Sequence, residues 1–211
     1  MEETLLPLEE NEENEENEKN KENQNAFEKE HEILRHIKER FPAVDIENAN
    51  IAKRRIYLSI DSADLTDSGI FLQALQFAAQ ELGFFRLCTI TGIDNLDSFE
   101  FLYHIVNTDG ILLTLKLKTP RNDNTVIASV LPIYNGATFY ERELEGLLGI
   151  KVEGLTEGRQ YPLPDNWPQN QYPLRKDWTP GQNTDTIQTA QKDNTKDNTD
   201  GRKDGVSKEN E

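Results

Sequence analysis

The chain has one cysteine, Cys88, among 211 residues. A disulfide within the chain is therefore excluded, as is a cysteine-ligated iron–sulfur cluster or a cysteine-rich zinc site. Apolar residues are also scarce, at 35%, and no apolar run approaches the roughly 20 residues needed to cross a bilayer. The N-terminus is acidic where a secretory leader would be basic, so the reading is a soluble chain on the cytoplasmic side that meets a membrane only through a partner. Cations are few: 23 Lys and Arg stand against 39 Asp and Glu, a net charge of -16. That balance opposes binding to nucleic acid or anionic lipid, whose phosphates require basic side chains. No Gly-rich phosphate loop is present.

The apolar deficit is concentrated at the ends. Residues 1–25 are nearly all Glu and Asn, and residues 179–211 carry near-repeats such as Lys192-Asp-Asn-Thr and Lys196-Asp-Asn-Thr. Neither stretch can bury enough apolar surface to offset its ordering entropy, so both read as disordered tails. The folded region is expected at 26–178.

Within it, Phe27, Leu34, Ile37 and Phe41 recur at helical spacing up to Pro42. Val44–Asn50 and Arg54–Ile60 read as neighbouring strands. A second helix carries Phe71, Leu75, Ala78 and Leu82, capped by Asp67 or Ser68 and closed by Gly83 with Phe84 in a Schellman motif. Strands follow at Arg86–Thr91, Phe99–Val106 and Ile111–Lys118, the last two joined by the hairpin turn Asn107-Thr-Asp-Gly110. Leu113, Leu115 and Leu117 alternate with Thr114, Lys116 and Lys118, which predicts one buried and one wet face. A last helix begins near Thr138, where Thr138-Phe-Tyr-Glu141 matches a capping box, and ends at Gly149. The fold class is α+β: a mixed four- to five-stranded sheet with helices packed on one face. A long irregular segment, 150–178, follows. Its Tyr161, Trp167, Tyr172 and Trp178 must pack on something, while its prolines forbid a regular helix or a central strand.

No side-chain set reads as catalytic. His31 and His36 lie five apart where two zinc ligands on one helix face lie four apart. Asp61, Asp64 and Asp67 fit helix capping better than a metal cluster. His104 reads as a structural histidine in a strand. Catalytic, cofactor-binding and metal residues are therefore expected to be none.

The distinctive stretch is Glu141-Arg142-Glu143-Leu-Glu-Gly-Leu-Leu-Gly149-Ile150, then Leu163-Pro-Asp-Asn-Trp167, then Tyr172-Pro-Leu174-Arg175-Lys176-Asp177-Trp178. In this order and spacing it resembles the complex I 30-kDa subunit family of proton-pumping NADH–quinone oxidoreductase, which includes the small subunit of energy-converting, membrane-bound [NiFe] hydrogenases. Thr89-Ile-Thr-Gly-Ile-Asp94 resembles the family's L-T-x-x-D turn, and Phe99–His104 its strand ending in Y-H. The chain departs from the pattern at Gly146, Leu148 and Leu155-Thr156, while Arg159 stands where a family arginine does. These departures fit a diverged hydrogenase-type relative better than the respiratory enzyme. The resemblance implies a non-catalytic, cofactor-free subunit; iron–sulfur, nickel–iron or quinone sites would lie in partner subunits. It implies docking on a large hydrogenase-like (49-kDa-type) subunit among other peripheral-arm subunits, with the C-terminal segment wrapping that partner. The interface residues expected on this basis are Glu141, Arg142, Glu143, Arg159, Trp167, Leu174, Arg175, Lys176, Asp177 and Trp178. Arg142 fits equally a solvated helix charge. Competing readings are a stand-alone module gripping a peptide or small ligand through its aromatic C-terminal segment, and an enzyme in its own right.

Overall fold

The structure is a computed structural model; it describes residues 27–42, 44–61, 68–159 and 161–180. The expected tails, apart from residues 179 and 180, and the candidate caps Asp64 and Asp67 lie outside the described residues. Chain order is α1 (Glu28–Arg40), β1 (Asp45–Ala52), β2 (Arg55–Asp61), α2 (Ser68–Gln80), β3 (Arg86–Asp94), β4 (Ser98–Val106), β5 (Leu112–Pro120), β6 (Val126–Ala128), α3 (Ala137–Leu148) and β7 (Lys151–Glu153).

The first five strands form one sheet in the order β1-β2-β5-β4-β3. Only β2 and β5 are parallel, so the sheet is mixed, as expected. The registers put Ile56, Leu58 and Ile60 of β2 beside Leu113, Leu115 and Leu117 of β5, and these beside Ile105, Tyr103 and Phe101 of β4. All nine side chains are buried. Because side chains alternate along a strand, this register gathers one apolar face. The helices cover that face: the Phe71 ring of α2 lies 4.8 Å from Tyr103, and Phe41 after α1 meets Phe77 of α2 edge-on at 5.7 Å.

Local chemistry sets the joints. Glu30 is buried in α1 and accepts the backbone N–H of Arg54, which adopts a positive φ in the β1–β2 turn. The expected hairpin turn forms: Gly110 takes φ 74°, and Asn107 Oδ1 accepts the Ile111 N–H. Gly83 closes α2 at φ 72°, with the Phe84 N–H reaching Ala78 O, one residue wider than a Schellman bond.

Four expectations need correction. β3 runs on through Gly92 to Asp94, so the stretch read as a turn is strand, and the reversal comes at Asn95–Ser98. Gly92 is in the strand because α3 crosses it: a Cβ there would collide with Leu144 and Leu148. The second face of β5 is not simply wet, since Thr114 is buried beside His104, with Nδ1 to Oγ1 at 2.9 Å. Residues 150–178 are not wholly irregular, because β7 pairs in parallel with β6. Strands of three residues are too short for alternation to be read.

The capping box is the fourth. α3 starts at Ala137 behind Gly136, with no side-chain cap. Glu141 points inward and is fully buried. It accepts the Ser129 hydroxyl at 2.7 Å and the Val130 N–H at 2.6 Å, tying α3 to the segment after β6. With the helix starting at Ala137, Glu141 lies beyond its first turn, too far along to cap it, and two converging donors hold its side chain in the core.

Candidate functional site

The residues singled out by sequence converge on the C-terminal end of α3. Gly149 ends the helix in the left-handed region at φ 69°, and a Cβ there would strike the Tyr172 ring. The absence of a side chain therefore serves two needs, chain reversal and close approach of the segment returning at Tyr172. That segment, residues 154–180, is a strap in which none of the described residues is fully buried. The Leu174 N–H bonds Leu147 O at 3.0 Å, and the Lys176 N–H bonds Asp94 Oδ2 at 3.0 Å.

Arg175 is the centre of this clamp. Its Nε donates to Leu148 O at 2.7 Å and its Nη2 to Gly149 O at 3.3 Å, so a guanidinium satisfies the last carbonyls of α3 and meets the negative end of the helix dipole. Nη1 reaches Asp123 at 3.2 Å. The guanidinium carbon lies 4.7 Å from the Tyr172 centroid and 5.9 Å from that of Phe99. Only 13% of the side chain is exposed. Lysine could not make this set, having neither a plane to stack nor a fork to divide between two carbonyls.

A second arginine stands beside it. Arg121 lies 5.7 Å from the Phe99 centroid and donates to Asp177 at 2.6 Å. Its Nε is 3.0 Å from Asp94 Oδ1, an ion pair without hydrogen-bond alignment. Asp94 is buried, and also accepts the Leu96 N–H at 2.8 Å. The hydrogen bond from Arg121 holds the Asp177 carboxyl below its usual range. Burial pushes Glu141 above the usual carboxylate range, opposed by its bonds from Ser129 and Val130.

Of the ten expected interface residues, Arg175, Asp177, Trp178 and Leu174 are brought together here. Trp167 joins them, its ring centroid 6.3 Å from that of Trp178. Gln171 sets both indoles: Trp167 Nε1 donates to its backbone oxygen and Trp178 Nε1 to its side-chain oxygen, each at 2.8 Å. Arg142 reaches the backbone oxygens of Thr156 and Glu157 at 3.3 and 3.4 Å, bracing the start of the strap. Glu143 is half-buried, Lys176 is exposed, and Arg159 is exposed in a pair with Asp165 at 2.7 Å. Glu141 is a correction: it is sealed in the core and offers nothing to a partner. Arg175, expected at an interface, has its donors engaged inside the chain. Asp123 and Arg121 were missed as partners of this site. Asp123 is 52 residues from Arg175, and nothing in local sequence joins them. Among the described residues no group of three or more His, Cys, Asp or Glu is placed to hold a metal, and no helix is long and apolar enough to cross a membrane.

A mixed sheet followed by a strap clamped onto its last helix makes a small α+β domain. The chain belongs to the family described as respiratory-chain NADH dehydrogenase, 30 Kd subunit, whose model matches residues 65–184. It is 36% identical over 109 residues to a subunit of the F(420)H(2) dehydrogenase of Methanosarcina mazei, covering 50% of this chain and 68% of that one. It is 28% identical over 148 residues to membrane-bound hydrogenase subunit beta of Pyrococcus furiosus, covering 67% and 81%. A chain in the structure of the membrane-bound sulfane sulfur reductase, an archaeal respiratory membrane complex, shares the fold, with a TM-score of 0.61 at 24% identity over 85% of this chain and 99% of that one.

Proposed function

We propose that this chain is a non-catalytic, cofactor-free peripheral subunit of a membrane-associated complex I-like oxidoreductase. It docks on the large catalytic subunit, the one holding the quinone or nickel–iron site, and stabilises it on the cytoplasmic side of the membrane. The observation that carries this reading is the apolar surface left on the outside of α3 and the strap. Phe139 is 61% exposed, Tyr161 45% and Leu174 53%, and Phe139 and Tyr161 pack edge-on at 5.5 Å as a pair. A strap pinned by a clamp with aromatics turned outward is a preordered docking surface. The hydrogenase-type assembly is favoured, supported by the departures at Gly146 and Leu155-Thr156 and by the likeness to the Pyrococcus subunit. A second reading, the 30-kDa subunit of a respiratory NADH–quinone enzyme, is supported by the family's own description.

The test is purification of the tagged full-length chain from its native cells in mild detergent. A large hydrogenase-like subunit should accompany it, and nickel in that fraction identifies the hydrogenase form. Leu174→Asp should abolish copurification while circular dichroism stays unchanged. A chain that elutes alone, or a variant that binds as well as wild type, defeats the docking reading. Stoichiometric iron or flavin on the isolated chain defeats the cofactor-free one.

A further inference from the structure

The β1–β2 turn carries Lys53-Arg54-Arg55, the one run of three basic residues in a chain of net charge -16. All three are exposed, and among the described residues none of their side chains has an ion-pair or hydrogen-bond partner. We propose that the Glu-rich segment 1–25 of this same chain docks on that turn and covers it.

The segment is delivered to the turn by the fold. The first described residue, Phe27, leads into α1. Three residues on, less than one helical turn, Glu30 accepts the Arg54 N–H at 2.8 Å. Lys29 meets Asp109 of the β4–β5 turn at 2.9 Å, and a Cβ on Gly110 of that turn would lie 3.6 Å from Arg54 Nη1. The start of α1 therefore sits against both turns, and the chain preceding it joins the fold there. A coil of 25 residues reaches about 25–30 Å, long enough for residues 9–18 to return over the β1–β2 turn.

The charges are complementary. Residues 1–25 hold ten Glu against two Lys, and Glu9-Glu10-Asn, Glu12-Glu13-Asn and Glu15-Glu16-Asn set paired carboxylates every three residues. Two carboxylates of the folded part at this end are already engaged: Glu30 is buried on the Arg54 N–H, and Asp109 is held by Lys29. A fourth cation extends the surface, since Arg86 is exposed on β3 and shares one cross-strand row with Val106, Leu112 and Arg55. The turn is also preset. Arg54 adopts φ 59° with its N–H fixed by Glu30, so its neighbours project from a settled backbone. A guanidinium takes a carboxylate in two parallel bonds, which makes Arg54 and Arg55 the stronger part of the surface, with Lys53 adding a point charge. Tethering brings the carboxylates to an effective concentration of about millimolar, so that individually weak pairs hold the segment in place. Docked in this way, it keeps other anions off the one basic turn of an acidic chain.

The full-length chain with Cys88→Ser and Asn14→Cys carries a nitroxide on the segment alone, because Cys88 is the only native cysteine. Amide line broadening is then read by NMR at low salt. The expected result is broadening centred on residues 53–55 and on the 107–110 turn, and lost in about 1 M salt, where the Debye length is about 3 Å. Lys53→Gln with Arg55→Gln, both at exposed positions, should cut it about threefold while the sheet amides stay where they were. Broadening centred on another cation such as Lys38 or Lys176, survival in 1 M salt, or an undiminished effect in the double variant overturns the proposal. Equal broadening with nitroxide and isotope on different chains also overturns it, assigning the turn to a second copy. No partner is present in this measurement, so its failure leaves the docking proposal standing.

Discussion

The inward faces of β2, β5 and β4 bury Ile56, Leu58, Phe101, Tyr103, Ile105, Leu113 and Leu115 to within 1% of complete exclusion from water, whereas the described residues of the 154–180 strap bury no side chain completely and are held by arginine, aspartate and backbone carbonyls. The two regions touch at Phe99, the last aromatic of the core, over which both Arg121 and Arg175 lie. Hydrophobic burial is non-directional and summed over many contacts, so the sheet has no single indispensable atom. The clamp works through a few directional, charge-assisted bonds. The strap should therefore be released without melting the sheet, and a partner that covers the strap should stabilise it selectively.

Substitutions can break that contrast, beginning in the sheet. Phe101→Ala should destabilise the whole domain by about 3–5 kcal/mol, the range for deleting a buried phenyl ring, seen as one cooperative loss of both sheet and strap signals in denaturant. Next, Gly149→Val combines a β-branched residue in the left-handed region with a collision against Tyr172, for a loss of about 2–4 kcal/mol. Its mark is an early strap transition in tryptophan fluorescence, ahead of the far-UV signal.

Arg175→Ala sharpens the comparison most. It strips charge-assisted bonds from Leu148 O and Gly149 O at a cost of about 1.5–3 kcal/mol. Limited trypsin should then cut the strap several-fold faster while amide protection in β4 and β5 is kept. Loss of that protection would show that strap and sheet are one cooperative unit.

A smaller effect concerns Glu141. Burial raises its folded pKa above the ordinary 4.5. A raised carboxyl pKa means that the protonated form suits the fold better, so the group's contribution is full below the ordinary value and is lost as the pH rises through the raised one. Unfolding measured from about pH 4 to neutrality should show this decline in wild type, and Glu141→Gln should flatten it. The smallest effect is expected for Arg159→Ala. The pair it forms with Asp165 is 73% exposed on both sides, so its loss should change stability by about 0–1 kcal/mol.

Much of the sheet was legible because periodicity is a local record of burial. Period-two runs in β4 and β5, the Asp-Gly turn and the glycines after α2 and α3 each point to one structure without reference to the rest of the chain. The site was legible as a cluster of residue types at family-like spacing, but not as a set of bonds. Trp167, Leu174, Arg175, Asp177 and Trp178 do lie together, yet the partners of Arg175 come from α3, Phe99 and Asp123. Glu141 was misplaced for the same reason. Its sequence position fits a cap, and only the approach of Ser129 and Val130 makes the core the better place for its carboxylate.

By itself the sequence determined the α+β class, the exclusion of an internal disulfide and the family resemblance, because composition, period and motif order are properties of the chain in one dimension. The tertiary structure decided which way each charged side chain of α3 and the strap faces. An arginine reads the same in sequence whether it meets a partner or its own helix end. The choice depends on which carbonyls and carboxylates the fold brings within about 3 Å, and those here come from as far as 56 residues away.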